Sequence, residues 1–289
     1  MTRIEEILNR VRLIPMLSRS AARILELVGQ EEYSIGEVAK VVECDHVLTA
    51  QVLKVVNSTA FSLREQITTV NRAIAYLGQK MVIGIALSLC SEHIFERPLE
   101  GYESKEGELW RHSLLTAMAS KELAGLARAP VDQDLAFTAG LLHDIGKAVL
   151  SDFLRGSSRE MTERIDSGAV RGFLQAEKEI AGVTHQLVGA ALASRWKLPR
   201  PLAEVILHHH LPRLAEKKYI SLVYVVHLGD LVAMMAGKGT GADDLSYRMD
   251  RGYAEYIDIN REKLEILMLR VQMEFEKTEA MLFGGERRT

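Results

Sequence analysis

Apolar positions recur at helical spacing along nearly the whole chain. In "AARILELV" (21–28), Ile24, Leu25 and Val28 fall on one stripe, and in "IGEVAKVV" (35–42) Ile35, Val38, Ala39 and Val42 repeat it. Alternating β-branched runs are few. Ser34 stands three residues before Glu37, the spacing of a capping box, and Gly78 after "VNRAIAYL" marks a helix stop. The prolines, Pro15, Pro98, Pro130, Pro199, Pro201 and Pro212, fall at junctions between these segments. The pattern predicts an all-α chain of many short helices.

Two stretches break the periodicity. "ERPLEGYESKEGE" (96–108) is acidic and carries Gly and Pro, as expected where the chain passes from one helical lobe to the next. "AGKGTGADD" (236–244) reads as a flexible loop before a C-terminal helix from about Asn260 to Phe283. The expected organisation is an N-terminal helical lobe over 1–100, a second lobe over 101–236 onto which the first packs, and a glycine-containing loop and helix over 237–289.

Composition narrows the function classes. The 289 residues are 47% hydrophobic, enough for a core that needs no covalent staples. Lys and Arg total 36 against 39 Asp and Glu, and the net charge of −3 gives no global attraction to nucleic acid or an anionic membrane. Cys44 and Cys90 are isolated, as suits a reducing cytosol. The start "MTRIEEILNRV" has acids among its apolar residues and lacks a signal-peptide core. Of the oiliest runs, "MVIGIALSLC" (81–90) is too short to span a bilayer, and "ISLVYVVHLGDLVAMMAG" (220–237) contains His227 and Asp230. A cytoplasmic protein without a membrane segment is expected. The stretch from Ser34 to Asn57 resembles a helix-turn-helix in outline, but its net charge is −1 and its would-be recognition helix is mostly Val, Leu and Ala. No DNA partner is expected.

The chemistry lies in the histidines. Seven of nine fall between His112 and His227. Glu108 and His112 are four apart, so on a helix they share a face at roughly 6 Å. His227 and Asp230 are three apart. In "GLLHDIGKAVL" (140–150) His143 and Asp144 are adjacent, and Gly146 would let that helix end open toward a cavity. The "HHH" run, 208–210, can offer two imidazoles to one centre near a helix end, which Pro212 marks. Glu108, His112, His143, Asp144, His185, His209, His210 and Asp230 then supply N and O donors without a thiolate, too many for one ion. Two ions, or three, of the iron, manganese or zinc kind fit better, with Asp144 as a bridging carboxylate.

At these residues the chain resembles a known family. His112, "HDIGK" (143–147), "EKEIAGVTHQLVGAALASRWKLP" with His185, "VILHHHLP" and Asp230 look like the HD superfamily of metal-dependent phosphohydrolases. The arrangement more narrowly resembles the HDOD family, and "LIPMLSRSAARILELV", "VECDHVLTAQVLKVVNSTAFSL" and "ITTVNRAIAYLGQKMV" resemble that family's helical lead-in. The resemblance implies a multi-helix HDOD bundle and a signalling role. It also implies metal ligation by the eight donors, with iron or manganese favoured over zinc, and His209 and His210 as the paired histidines. Asp144 and Lys147 become the catalytic candidates, Lys147 as the cation that meets a phosphate. The related HD-GYP group carries a Gly-Tyr-Pro segment after its His pair, where this chain reads "LPRLAEKKYI". Two functions follow from the resemblance: a phosphohydrolase acting on a nucleotide or phosphodiester, or a non-catalytic adaptor with protein partners whose metal site is structural or ligand-sensing. The basic residues of "RWKLPR" (195–200), with Arg213, Lys217 and Lys218, suit a phosphorylated ligand or an ordinary solvated face.

Overall fold

The computed structural model describes residues 2–14, 34–45, 67–77, 97–244 and 246–283, with residues 20, 23, 24, 27, 48, 49, 52, 53 and 82 between them. Gly78, Asn57 and Ser58, the run 81–90 apart from Val82, His46 and His93 lie outside these. Among the described residues the regular structure is helical, with two isolated bridges, Leu99 with Ser104 and Ala127 with Ile257. The fold is all-α. The chain forms two compact units, one of Met1–Met16 with His93–Asn260 and one of Leu17–Glu92 with Arg261–Thr289. Both are discontinuous in sequence.

In the second unit, helix Ile35–Glu43 starts with the expected capping box. The Ser34 hydroxyl accepts from the Gly36 N–H at 3.2 Å, and the Glu37 carboxylate accepts from the Ser34 N–H at 3.4 Å. Val38, Ala39 and Val42 are buried, while Ile35, in the first turn, is 49% exposed. Helix Val70–Leu77 packs against it. Arg261–Phe283 buries Leu267, Val271 and Phe275 at four-residue intervals, a single apolar stripe, and exposes Ile266, Leu269 and Met273.

The first unit is built round Ile220–Met235, which packs against Glu108–Ala124 and Gln133–Leu142. Every side chain from Leu222 to Met234 is buried. A helix covered on all sides has no polar face to keep, which explains its continuous hydropathy. No helix of the described residues is long and apolar enough to cross a membrane. Helix Arg3–Leu13, capped by Thr2, packs on His185–Arg195 and Lys147–Leu154, with Ile7 and Val11 buried.

Two glycines are fixed by close approach. A Cβ on Gly241 would lie 2.1 Å from the Tyr102 carbonyl oxygen, and its φ of +109° disfavours any side chain. The neighbouring Ala242 N–H donates to that same carbonyl at 2.6 Å. The stretch read as a flexible loop is therefore folded onto the short 3₁₀ turn Glu100–Tyr102, because its glycine lets two backbones meet.

Gly146 differs from its expected role as well. It does not open the helix end but admits another helix, since a Cβ there would lie 1.9 Å from the His185 carbonyl oxygen and 2.6 Å from the Gly189 nitrogen. Its φ of −66° suits alanine, so any penalty at this position comes from packing alone. Gly146→Ala is expected to lower unfolding stability by about 1–3 kcal/mol, the usual range for overpacking, measured as a shift in denaturant midpoint. A gain in stability would show that the two helices separate freely.

Candidate metal centre

The site is assembled from helix ends. His112 projects from the second turn of Glu108–Ala124, and His143 and Asp144 follow the last residue of Gln133–Leu142. His185 opens His185–Arg195 behind its Thr184 cap. His209 and His210 lie just past Arg200–His208, and Asp230 comes from the middle of Ile220–Met235. These seven side chains converge and all are buried.

Asp144 is the centre of the cluster. Its Oδ1 lies 3.4 Å from Nε2 of both His185 and His209, and its Oδ2 lies 3.4 Å from Nε2 of both His112 and His143. Asp230 closes the second side, with Oδ1 3.2 Å from His112 Nε2 and 3.7 Å from His143 Nε2, and Oδ2 3.6 Å from His210 Nδ1. Two donor groups are each compact enough for one ion. One is Asp144, His185, His209 and His210; the other is His112, His143 and Asp144. They share Asp144.

The imidazole tautomers follow from their outer partners. His112 Nδ1 meets the Lys238 carbonyl at 2.7 Å, His143 Nδ1 the Gly140 carbonyl at 2.7 Å and His209 Nδ1 the Ile206 carbonyl at 3.1 Å. Carbonyls only accept, so each of these nitrogens carries the proton and donates. His185 Nδ1 likewise donates to Glu177, at 2.8 Å. In the neutral rings every Nε2 therefore presents a lone pair to the interior. Yet His112 Nε2 and His143 Nε2 are 3.3 Å apart, and His185 Nε2 and His209 Nε2 are 3.4 Å apart. Facing lone pairs at that distance repel unless a cation, a proton or a metal ion, lies between them. Neither ring nitrogen of the buried His210 has a hydrogen-bond partner among the described residues. A hydrogen-bonded outer shell around converging, orphaned nitrogens fits a metal.

Protonation of the metal-free cluster divides along the same line. Burial opposes charge on His143, but Asp144 and Asp230 outweigh it and raise its pKa to about 10. His112 is raised as well, by Asp144 and Asp230 against burial. Burial holds His209 down at about 4 and lowers His210. Despite burial, Asp144 stays well below the usual carboxylate range because of Lys147 and His143.

Two expected residues sit elsewhere in the arrangement. Glu108 does not join the cluster: at the first position of its helix, its carboxylate turns back to accept from the Lys105 N–H at 2.7 Å. Lys147, at 2% exposure, is enclosed. Its Nζ lies 2.6 Å from Asp144 Oδ2, 2.6 Å from Asp243 Oδ2 and 2.8 Å from Thr240 Oγ1, so its three protons already face three acceptors. His208 points toward Glu204 at 3.9 Å and stays outside. His227 bridges, donating from Nδ1 to the His209 carbonyl at 2.8 Å and accepting the Asp250 N–H on Nε2 at 2.9 Å. Three basic residues near 200–218 pair with acids: Arg200 and Lys218 with Glu216, and Arg213 with Asp250.

Several residues had no place in the sequence motif. Glu177 is fully buried, orients His185 through both Nδ1 and the backbone N–H, and accepts from the Tyr102 hydroxyl at 2.8 Å. Its position, four after Phe173 and four before Ala181 on the buried stripe of Phe173–Ala181, was a readable signal. Thr240, Asp243 and Tyr247 come from the irregular segment after Ile220–Met235. Tyr247 stacks on His210, ring centroids 3.8 Å apart, and donates to Asp243 at 2.7 Å. That segment covers the cluster.

An all-α unit that gathers a His-Asp pair, further histidines and a second aspartate at helix ends defines an HD-type helical bundle with a buried cluster of metal-ligating side-chain types. Residues 14–212 match the model of the HDOD domain family, and the chain belongs to that family. A protein of Treponema pallidum (strain Nichols) is 26% identical over 238 residues, 78% of this chain and 43% of its own length, so the chain spans less than half of that relative. Among solved structures, a candidate signal transduction protein from Marinobacter aquaeolei VT8 superposes with a TM-score of 0.76 at 20% identity, over 97% of this chain and 61% of that one. A candidate metal-dependent phosphohydrolase from Shewanella amazonensis SB2B gives a TM-score of 0.59 at 20% identity, over 97% of this chain and 99% of that one.

The two histidine classes set a pH profile for chelator-treated protein. Stability linked to His143 is complete below about 6.5 and is lost as pH rises through about 10. Stability linked to His209 is complete above about 6.5 and is lost as pH falls through about 4. Thermal scans in chelator should show a maximum near pH 6.5, and a profile that only rises or only falls across this window would contradict the assignment. Glu177→Gln removes the charge that orients His185 and is expected to weaken Mn²⁺ binding by about 10–100-fold, read by competition with a chelating dye.

Proposed function

We propose that the chain is an HDOD signalling protein whose HD-type cluster holds two divalent ions, of the iron or manganese kind, bridged by Asp144. The single observation that carries this reading is the set of Nε2 atoms of His112, His143, His185 and His209, each fixed as an acceptor in the neutral ring by its outer hydrogen bond and aimed at another such nitrogen. His185, His209 and His210 would hold one ion, and His112, His143 and Asp230 the other. An all-N/O donor set without thiolate suits iron or manganese better than a structural zinc.

In the closed arrangement the module acts as a metal-stabilised interaction unit, with metal binding coupled to folding and presented to protein partners. The support is enclosure. The donors are buried, Tyr247 covers His210, and Lys147 has no proton free for a phosphate.

A second reading is favoured by Asp144 itself, whose two oxygens face two donor groups as a bridging carboxylate would. On that reading the protein is a phosphohydrolase for a nucleotide or phosphodiester. Bound metal would then supply a nucleophilic water at neutral pH and polarise the phosphoryl group. The segment from Lys238 to Asp250 would have to move to admit the ester.

Elemental analysis of protein purified without chelator should find about two ions per chain. Asp144→Ala should lose the most metal, since it serves both groups. The loaded protein, set against a panel of nucleotides and phosphodiesters, is expected to show a raised melting temperature without turnover. Turnover that disappears together with metal in Asp144→Ala would establish the hydrolase reading instead, and a stoichiometry below one after supplementation with iron or manganese would end both.

A further inference from the structure

The buried charges of the first unit divide unevenly. Asp144 and Asp230 face the imidazoles, and Glu177 is engaged by His185 and Tyr102. Asp243 is different. It is buried, yet its partners are Lys147, Thr240 and Tyr247, and among the described residues it makes no ion pair with an imidazole of the cluster. Lys147 hangs between the two carboxylates at equal distances of 2.6 Å, with its ammonium 5.7 Å from the Tyr102 ring centroid and 5.1 Å from that of Tyr247.

This arrangement creates a conflict for a metal. The Asp144 oxygen that faces His112 and His143 is also the one that takes Lys147. An ion bound through that oxygen would draw its electron density and stand close to an ammonium it repels. A buried lysine deprived of its counter-charge is costly to keep. Something has to hold Lys147 while Asp144 turns to the metal.

Resting on the two-ion reading above, we propose that Asp243 is the positioning residue of the centre: it neutralises and holds Lys147, which frees the charge of Asp144 for metal. Thr240 and Tyr247 prepare it for this. The Thr240 hydroxyl donates to Asp243 Oδ1 at 2.8 Å while accepting from Lys147, and the Tyr247 hydroxyl donates to Oδ2. Both bonds fix the carboxylate where the ammonium meets it, so Lys147 needs no large movement when Asp144 is shared. The segment beyond Ile220–Met235 thus supplies the counter-charge as well as the cover.

The test is a double-variant cycle on the full chain, with Mn²⁺ alone as probe and affinity read by chelator competition. Asp243→Asn is expected to weaken Mn²⁺ binding by about 10–100-fold, the range of outer-shell partners, because it leaves Lys147 uncompensated beside the metal. Adding Lys147→Met to Asp243→Asn removes the offending charge and is expected to recover about tenfold or more of the loss. A merely structural anchor would give the same loss in both backgrounds, and that result overturns the proposal. If Asp243→Asn does not fold, Thr240→Val and Tyr247→Phe each delete one bond to Asp243. Their smaller losses should vanish in the Lys147→Met background, and persistence there counts against the proposal. Wild-type protein that takes up no Mn²⁺ overturns the two-ion reading and this inference together; wild-type binding matched by Asp243→Asn overturns this inference alone.

Discussion

A fully buried aspartate at the meeting point of four imidazoles is the constraint on which the first unit depends. An isolated carboxylate removed from water is unstable unless cations and donors surround it, so Asp144 requires what is found around it: Lys147 on one oxygen and histidine nitrogens on both. The same requirement explains why the site is large. Each histidine needs its own outer acceptor to fix its tautomer, and those acceptors come from backbone at Gly140, Ile206 and Lys238 and from the buried Glu177.

Helix ends meet this demand economically. A helix terminus has backbone carbonyls without intrahelical partners, and here Gly140 and Ile206, in the last turns of their helices, accept from the imidazoles that follow them. Gly146 lets the His185 helix close on the turn that carries Asp144, so the two halves of the donor set come within ligand distance. The core helix Ile220–Met235 sets Asp230 opposite them. The segment after it then returns across the site, tied at Lys238, Thr240, Asp243, Tyr247 and Asp250.

Membership of the HDOD family and an all-α fold shared with signalling and hydrolase candidates leave a choice between chemistry and scaffolding. On the reading we propose, enclosure and the complete engagement of Lys147 favour the scaffold, while the donor set is one that a hydrolytic centre would use. Both follow from the same segment, which brings a carboxylate to the lysine and an aromatic ring to His210. Closure and charge balance are two effects of one stretch of chain.

The sequence by itself determined the helical class, the capping box at Ser34 and Glu37, the C-terminal helix and the histidine and aspartate donors, because periodicity, capping and short motifs are local properties. It also held the signal for Glu177, an acid on an apolar stripe. Glu108 looked like a ligand because four-residue spacing puts it on the face of His112, but at a helix start a carboxylate has a nearer partner in an unpaired N–H, and it took the one at Lys105. The segment 236–244 looked like a flexible loop for the opposite reason. Its glycines signal conformational freedom, yet only the tertiary fold decides whether a second backbone occupies the space that freedom opens, as Tyr102 does at Gly241. The placement of Asp243 against Lys147, 96 positions apart by residue number, leaves no local trace, because charge balance in a buried site is settled by what packs there and not by what is adjacent in the chain.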